Sequence, residues 1–253
     1  ADGGRHNEFD AAVSRGLEMI AEGVDIIDIG GESTRPGADR VSEEEEIART
    51  IPVITELAKH GVTLSIDTMR ASTAEAAIKA GASIVNDVSG GLSDSKMLQT
   101  AARLQVPYIA MHWRGQSKDM NSKAIYGDVV NDVIAELNER IEAALDAGIA
   151  KDKLIIDPGI GFAKTVDQNW PILKHLDVLE GLGLPILMGA SRKKFLGELL
   201  AKDGVARDSD ERESATTAIS TLMAARGLWA VRVHDVKPSS DAIAVVDRIA
   251  KTS

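Results

Sequence analysis

A chain of 253 residues with 44% hydrophobic content can bury a sizeable core, and its length suits one large domain or two small ones. Its 29 basic and 39 acidic residues leave a net charge of -10, which opposes non-specific binding to nucleic acid or to an anionic membrane and favours a small ligand. The lack of cysteine excludes disulfides and thiolate metal sites; no apolar run reaches the about 18 residues of a spanning helix, and the opening ADGGRHNEF lacks the regions of a signal peptide, so a cytoplasmic setting is the default expectation.

The first helical pattern runs from about Asn7 to Ala21 and is followed by the apolar run VDIIDIG from Val24. Six further runs of this kind follow: VTLSIDT from Val62, ASIVNDV from Ala82, VPYIAMH from Val106, KLIIDPG from Lys153, LPILMGA from Leu184 and LWAVRVHD from Leu228. Helical patterns alternate with them. Ser42 with Glu45, and Ser72 with Glu75, are candidate capping boxes, and Gly23, Gly61, Gly81, Gly148, Gly183 and Gly227 stand where helices should stop. Strands apolar on both faces, alternating with helices, predict a parallel sheet, either closed into a (β/α)₈ TIM barrel or open and doubly wound.

The placement of polar residues favours the barrel. Asp28, Asp67, Asn86 with Asp87, His112, Asp157, Ser191 with Lys193, and Arg232 with His234 all fall at the C-terminal ends of strands. A barrel lets all its strands converge on one mouth, whereas an open sheet gathers ligand groups at one or two switch-point strands. Eight helical patterns against seven strands predict a first strand before Ala1, missing from the given chain. With no linker rich in Pro, Gly or Ser, residues 1–253 read as one (β/α)₈ barrel domain, with GGESTRPGADRVS and MHWRGQSKDMNSKAIYG as loops over the mouth.

Each polar feature also has a plain structural explanation. A strand-end Asp can cap the next helix, and GGESTRPG, residues 30–37, can be an ordinary glycine loop, although Arg35 between Thr34 and Pro36 suits an anion clamp. In GASRKKFLG, Ser191 is a candidate N-cap, with Arg192, Lys193 and Lys194 in a first turn where cations oppose the helix dipole; a bound anion or carbonyl explains them better. Arg232 and His234, two residues apart on the last strand, share a face where barrels often bind phosphate. His112, beside Trp113, reads as a packed or supporting residue. No His, Asp and Glu grouping has metal-site spacing, and no nucleophile turn is present.

Taken in order, DIIDIGGESTRPGA, SIDTMR, NDVSGG, DPGIGFAKT, GASRKKFLG and VRVHDV resemble the dihydropteroate synthase family over essentially the whole chain. That resemblance implies a (β/α)₈ barrel that joins 6-hydroxymethyl-7,8-dihydropterin pyrophosphate to p-aminobenzoate with loss of pyrophosphate, and is the target of sulfonamides. It implies a pterin site of Asp28, Asp67, Asn86, Val88, Asp157, Lys193 and Arg232, with Asp157 as the ring's anchor and Asp67, Lys193 and Arg232 as catalytic groups. Pyrophosphate would lie on Arg35, Arg232 and His234, and p-aminobenzoate beside Thr34, Pro36, Phe162, Ser191 and Lys194. Mg2+ is expected with the pyrophosphate, its protein ligand an Asn that would precede Ala1, so no metal ligand is assigned within the chain. A homodimer through outer helices is implied. The competing readings are a pterin-binding methyltransferase domain, which has no need of GGESTRPG or of the Arg232 and His234 pair, and a non-catalytic paralogue, which should show a broken pocket.

Overall fold

In the computed structural model, which describes residues 9–33, 39–116 and 120–252, each of the seven apolar runs forms a strand. These are β1 (Ile26–Gly30), β2 (Thr63–Asp67), β3 (Ile84–Asp87), β4 (Tyr108–Met111), β5 (Leu154–Asp157), β6 (Leu187–Met188) and β7 (Ala230–Val231). β1 to β5 pair in parallel in that order, β6 pairs in parallel with β7, and a parallel bridge between Ile156 and Ile186 joins the two groups. Every strand therefore neighbours the next one in the chain, as in a (β/α) barrel. A cavity of about 670 Å³ is lined by β1 on one side and β7 on the other.

Helices connect the strands: α1 (Phe9–Ala21), α2 (Glu43–Leu57), α3 (Ala71–Ala80), α4 (Met97–Leu104), α5 (Val129–Asp146), α6 (Asn169–Lys174), α7 (Leu176–Glu180), α8 (Lys194–Leu199), α9 (Glu213–Ala225) and α10 (Val236–Ala250). There are more than the eight expected patterns because the chain breaks between α6 and α7 at His175, and because the short α8 precedes α9. All six predicted stop glycines take positive φ, between 66° and 121°, where a Cβ would be strained. Ser42 caps α2 by accepting from the Glu45 N–H at 3.2 Å. Ser72 does not cap α3. That helix starts one residue earlier, at Ala71, whose N–H instead donates to Asp94 at 2.8 Å, and Glu75 turns outward to Lys79 and Arg103.

The period of two along each strand sorts the core. Ile84, Ile109, Ile155 and Leu187, with Ile26 and Ala230 against them, form an apolar layer inside the ring of strands. Leu64, Ile66, Val85, Tyr108, Ala110, Leu154, Ile156 and Met188 point the other way and pack under helix residues such as Ile54, Leu57 and Leu137. Each such fully buried aliphatic side chain contributes about 1.5–3 kcal/mol. One step beyond the inner apolar layer, the same alternation carries Asp28, Asn86, Asp157 and Arg232 to the inside.

It also corrects one expectation. Asp87, next to Asn86, faces outward, where it is fully buried and accepts from Ser89 N–H (2.8 Å), Ser89 Oγ–H (2.7 Å), Gly91 N–H (2.8 Å) and Tyr108 O–H (2.7 Å). It tethers the chain after β3 and has no part in the mouth. Tyr108→Phe leaves this buried carboxylate one donor short, so it should cost about 1.5–3 kcal/mol of stability. Urea unfolding of the variant checks this.

Candidate active site

The mouth is built on charge held in a largely buried place. Arg232, just past β7, donates from Nε to Asp28 Oδ2 at 2.7 Å and from Nη2 to Asp67 Oδ2 at 2.8 Å, tying β7 to β1 and β2. Asn86 on β3 donates to the same Asp28 oxygen at 3.0 Å, while Asp28 Oδ1 is buried with no partner among the described residues. Burial, only partly offset by Arg232 and reinforced by Asp28, pushes Asp67 up to about 6. Burial works against the Arg232 charge as well, but Asp28 and Asp67 outweigh it and hold the guanidinium protonated.

Asp157 ends β5, and burial raises its pKa against the pull of Lys193. Its Oδ1 accepts from the Gly159 N–H at 2.7 Å. Gly159 must be glycine: its φ is +66°, and a Cβ there would lie 2.5 Å from the His112 carbonyl oxygen. A Cβ placed on Gly189 would be 3.7 Å from Asp157 Oδ2 and 4.0 Å from both Lys193 Nζ and Arg232 Cβ, so these three groups meet over Gly189. Lys193 reaches this point from the chain before α8. Its ammonium donates to the Ile160 carbonyl and sits 4.5 Å from the centre of the Phe162 ring, a cation–π contact. Burial brings it down to about 8 even with Asp157 nearby. Phe162 in turn joins Trp113 against Met69, Val88 and Met111, an apolar wall beside the charged floor.

The structure thus brings together Asp28, Asp67, Asn86, Val88, Asp157, Phe162, Lys193 and Arg232. His234 and Ser191 form a second group, with His234 Nδ1 2.8 Å from Ser191 Oγ and the His234 N–H donating to the same hydroxyl at 3.2 Å. Thr34, Arg35 and Pro36 lie outside the described residues. The expected cationic helix start needs correcting. Ser191 is engaged with His234 and caps nothing; α8 begins at Lys194, with Lys193 at its cap position making no side-chain cap bond. Arg192, at a left-handed φ of 56°, turns its guanidinium to Glu213 (3.2 Å) and Asp235 (2.5 Å). Lys194 is 78% exposed, beside Glu198, and is not brought to the mouth. Lys193 alone of the three cations faces Asp157.

Sequence reasoning passed over Lys164 and Glu136. Lys164 is 8% exposed, and its ammonium donates to the carbonyls of Gly159 (2.9 Å) and Phe162 (3.1 Å) and faces His112 Nδ1 at 3.0 Å. The signal was a lysine in a glycine turn that is otherwise apolar. Burial, with Lys193 adding to it, lowers Lys164 to about 7. Burial and Lys164 lower His112 to about 4, despite Glu136 Oε2 at 2.9 Å from its Nε2. The imidazole is therefore neutral at pH 7, accepting on Nδ1 and donating from Nε2 to Glu136. Burial opposes ionisation of Glu136, but His112 and Arg114 pull it down to about 2.

A family model described as pterin binding enzyme matches residues 1–234. The chain is 52% identical over 248 residues to the dihydropteroate synthase of Mycobacterium leprae (strain TN), covering 97% of this chain and 87% of that protein. Among solved structures, dihydropteroate synthase of Xanthomonas albilineans with 4-aminobenzoic acid superposes with a TM-score of 0.90 at 42% identity, covering 100% of this chain and 89% of that one. A dihydropteroate synthase of Yersinia pestis with a sulfonamide drug does so with a TM-score of 0.92 at 39% identity, covering 100% and 90%.

The buried imidazole makes stability depend on pH. A free His112 takes up a proton near 6.5 and the folded one only near 4, so the unfolded state binds more protons between these values. The His112 contribution is complete above pH 6.5 and is lost as the pH drops toward 4, by about 3 kcal/mol. His112→Gln keeps an acceptor for Lys164 and a donor for Glu136 but cannot titrate. Urea unfolding at pH 7 and pH 4.5 should show a smaller acid loss in this variant than in the wild type.

Proposed function

Because the chain belongs to the dihydropteroate synthase family of pterin-binding enzymes, we propose that its mouth holds the pterin edge on Asp157, Asn86 and Lys193 and that Asp67 and Arg232 stabilise the reacting charge. The enzyme is a transferase of folate biosynthesis that joins 6-hydroxymethyl-7,8-dihydropterin pyrophosphate to p-aminobenzoate, giving 7,8-dihydropteroate and pyrophosphate. The observation that carries the site reading is the meeting of Asp157, Lys193 and Arg232 over Gly189. A buried carboxylate accepts from the 2-amino group and a ring N–H, and Lys193 donates to the ring carbonyl and a ring nitrogen. Asp28 Oδ1 is a further acceptor for a ligand N–H. Val88 and Phe162 supply apolar wall, and Phe162 with Ser191 would border p-aminobenzoate; sulfonamides, which compete for its place, fall on the same wall. Lys194, turned to solvent, would reach its carboxylate only by changing rotamer.

Charge placement explains the chemistry. As the C–O bond to pyrophosphate breaks, positive charge gathers on the exocyclic methylene. Asp67, a carboxylate paired with the Arg232 guanidinium, lies largely buried in the mouth, where its charge acts strongly on that centre. Arg232 has five donors; the two directed at Asp28 and Asp67 fix its plane, and the others are available to the departing pyrophosphate beside His234. The aniline nitrogen then attacks the methylene, and no side chain becomes covalently attached. Magnesium, expected with the pyrophosphate, would offset the charge of the leaving group. The methyltransferase reading, which has no need of GGESTRPG or of the Arg232 and His234 pair, is disfavoured by the likeness to dihydropteroate synthases. A cytoplasmic homodimer is part of this reading, and exposed Leu222, Val245 and Ile249 on α9 and α10 support an outer-helix interface.

Asp157→Asn replaces an acceptor of two N–H groups by an amide that presents an unmatched donor. The cost of about 1–3 kcal/mol should appear as a loss of pterin affinity of about 5- to 150-fold, with an unchanged circular dichroism spectrum. Unchanged pterin affinity by calorimetry in the folded variant would refute the assignment of Asp157 as anchor.

A further inference from the structure

The turn after β5 is held in an unfavourable shape. Gly159 and Gly161 have φ of 66° and 77°, and Ala163, which has a side chain, is also left-handed at 46°. A left-handed alanine persists only where its surroundings over-determine it. Two arms supply that constraint, and both start at Glu136 on α5. In the first, His112 Nε2 donates to Glu136 while Nδ1 receives the Lys164 ammonium, which also donates to the carbonyls of Gly159 and Phe162. In the second, Arg114 donates to Glu136 and stacks 3.7 Å over the Tyr126 ring, and the Tyr126 hydroxyl donates to the Ala163 carbonyl at 2.9 Å.

The first arm enters the turn from inside. In its ammonium form Lys164 has all three donors spent, and two of its acceptors flank the stretch that carries the site: Gly159, whose N–H holds Asp157, and Phe162, whose ring lies under Lys193. The Phe162 N–H returns to the Gly159 carbonyl at 3.0 Å, so one carbonyl receives both the turn's own bond and the lysine. The Ile160 carbonyl between them accepts from Lys193. No position in the turn can move without disturbing a group of the mouth. Lys164 itself is buried, its ammonium hydrogen-bonds only protein acceptors, and it makes no hydrogen bond to a side chain of the mouth, although its charge is felt by Asp157 and Lys193.

We propose that Lys164, held by His112 Nδ1, is a positioning residue for the reaction, fixing the turn 159–163 so that Phe162 and Asp157 keep their places against p-aminobenzoate and the pterin. The inference rests on the synthase reading of the mouth for its kinetic consequence, while its structural consequence can be measured without substrate.

Lys164→Met keeps the length of the side chain and removes all three donors. In the folded variant the Phe162 amide should exchange hydrogen at least about tenfold faster than in the wild type, measured on the substrate-free protein by NMR or mass spectrometry. The KM for p-aminobenzoate should rise by about tenfold and kcat should change by less than about threefold, because the loss falls on a binding wall. In a Phe162→Ala background, Lys164→Met should raise this KM less than about twofold further, since the lysine acts through that side chain. His112→Leu should reproduce the effects of Lys164→Met, and His112→Gln, which retains an acceptor, should stay near wild type. That pair decides the matter if Lys164→Met does not fold. Wild-type amide exchange and wild-type KM in Lys164→Met would overturn the proposal, as would equal behaviour of His112→Leu and His112→Gln. Faster exchange with an unchanged KM would also overturn it, and would locate the error in the assignment of Phe162 to the p-aminobenzoate site.

Discussion

Arg232 between Asp28 and Asp67 is the contact on which the mouth depends. Three carboxylates, Asp28, Asp67 and Asp157, stand inside a ring of strands whose next layer down is Ile84, Ile109, Ile155 and Leu187. Unpaired charge in such a place is costly. The guanidinium joins two of the carboxylates and Lys193 stands near the third, so charge is gathered without being cancelled by solvent. Removing Arg232 would leave two buried anions facing each other across β1 and β2. The cost of assembling this layer is also its use: polar groups fixed in advance in a dry site act on a reacting charge with no reorganisation.

A second requirement is rigidity around that layer. The turn after β5 is pinned by Lys164 from within and Tyr126 from the side, and by Asn169, which accepts from the Gly161 N–H at 2.7 Å. On the opposite side, Arg70 holds the chain around the GGESTRPG segment. It donates to Glu32 at 2.8 Å and to the Val41 carbonyl at 2.6 Å, and pairs with Glu46, a carboxylate buried to 1% exposure that also receives Thr68 and Thr73. Arg192 does the same for the chain after β7 through Glu213 and Asp235. Three described segments at the mouth thus have an arginine or lysine set behind them, a fixed frame for binding groups.

Local pattern was what the sequence made legible. Strand alternation, stop glycines and the carboxylates at strand tips depend on spacing of one to four residues, and they led to the barrel and to Asp28, Asp67, Asn86, Asp157 and Arg232. Most of the misreadings turn on contacts between distant parts of the chain. Ser191 looks like a cap until His234, 43 residues on, takes its hydroxyl. Arg192 looks like an anion ligand until its left-handed backbone aims it at α9 and α10. Asp87 differs from Asn86 only by one step of the pleat, and the buried Tyr108 that claims it lies on the next strand. Lys164 hides in a motif read for its glycines, because nothing local says that a lysine will point inward toward His112.

A crystal structure of this protein with 7,8-dihydropteroate bound tests the central claim most directly. The account predicts the pterin ring in the mouth, its 2-amino and ring N–H groups within about 3 Å of the Asp157 carboxylate, its edge on Asn86 and Lys193, and the benzoate portion along Phe162. A ring bound away from the layer of Asp157, Lys193 and Arg232, or one that reaches Asp157 only through intervening water, would contradict it.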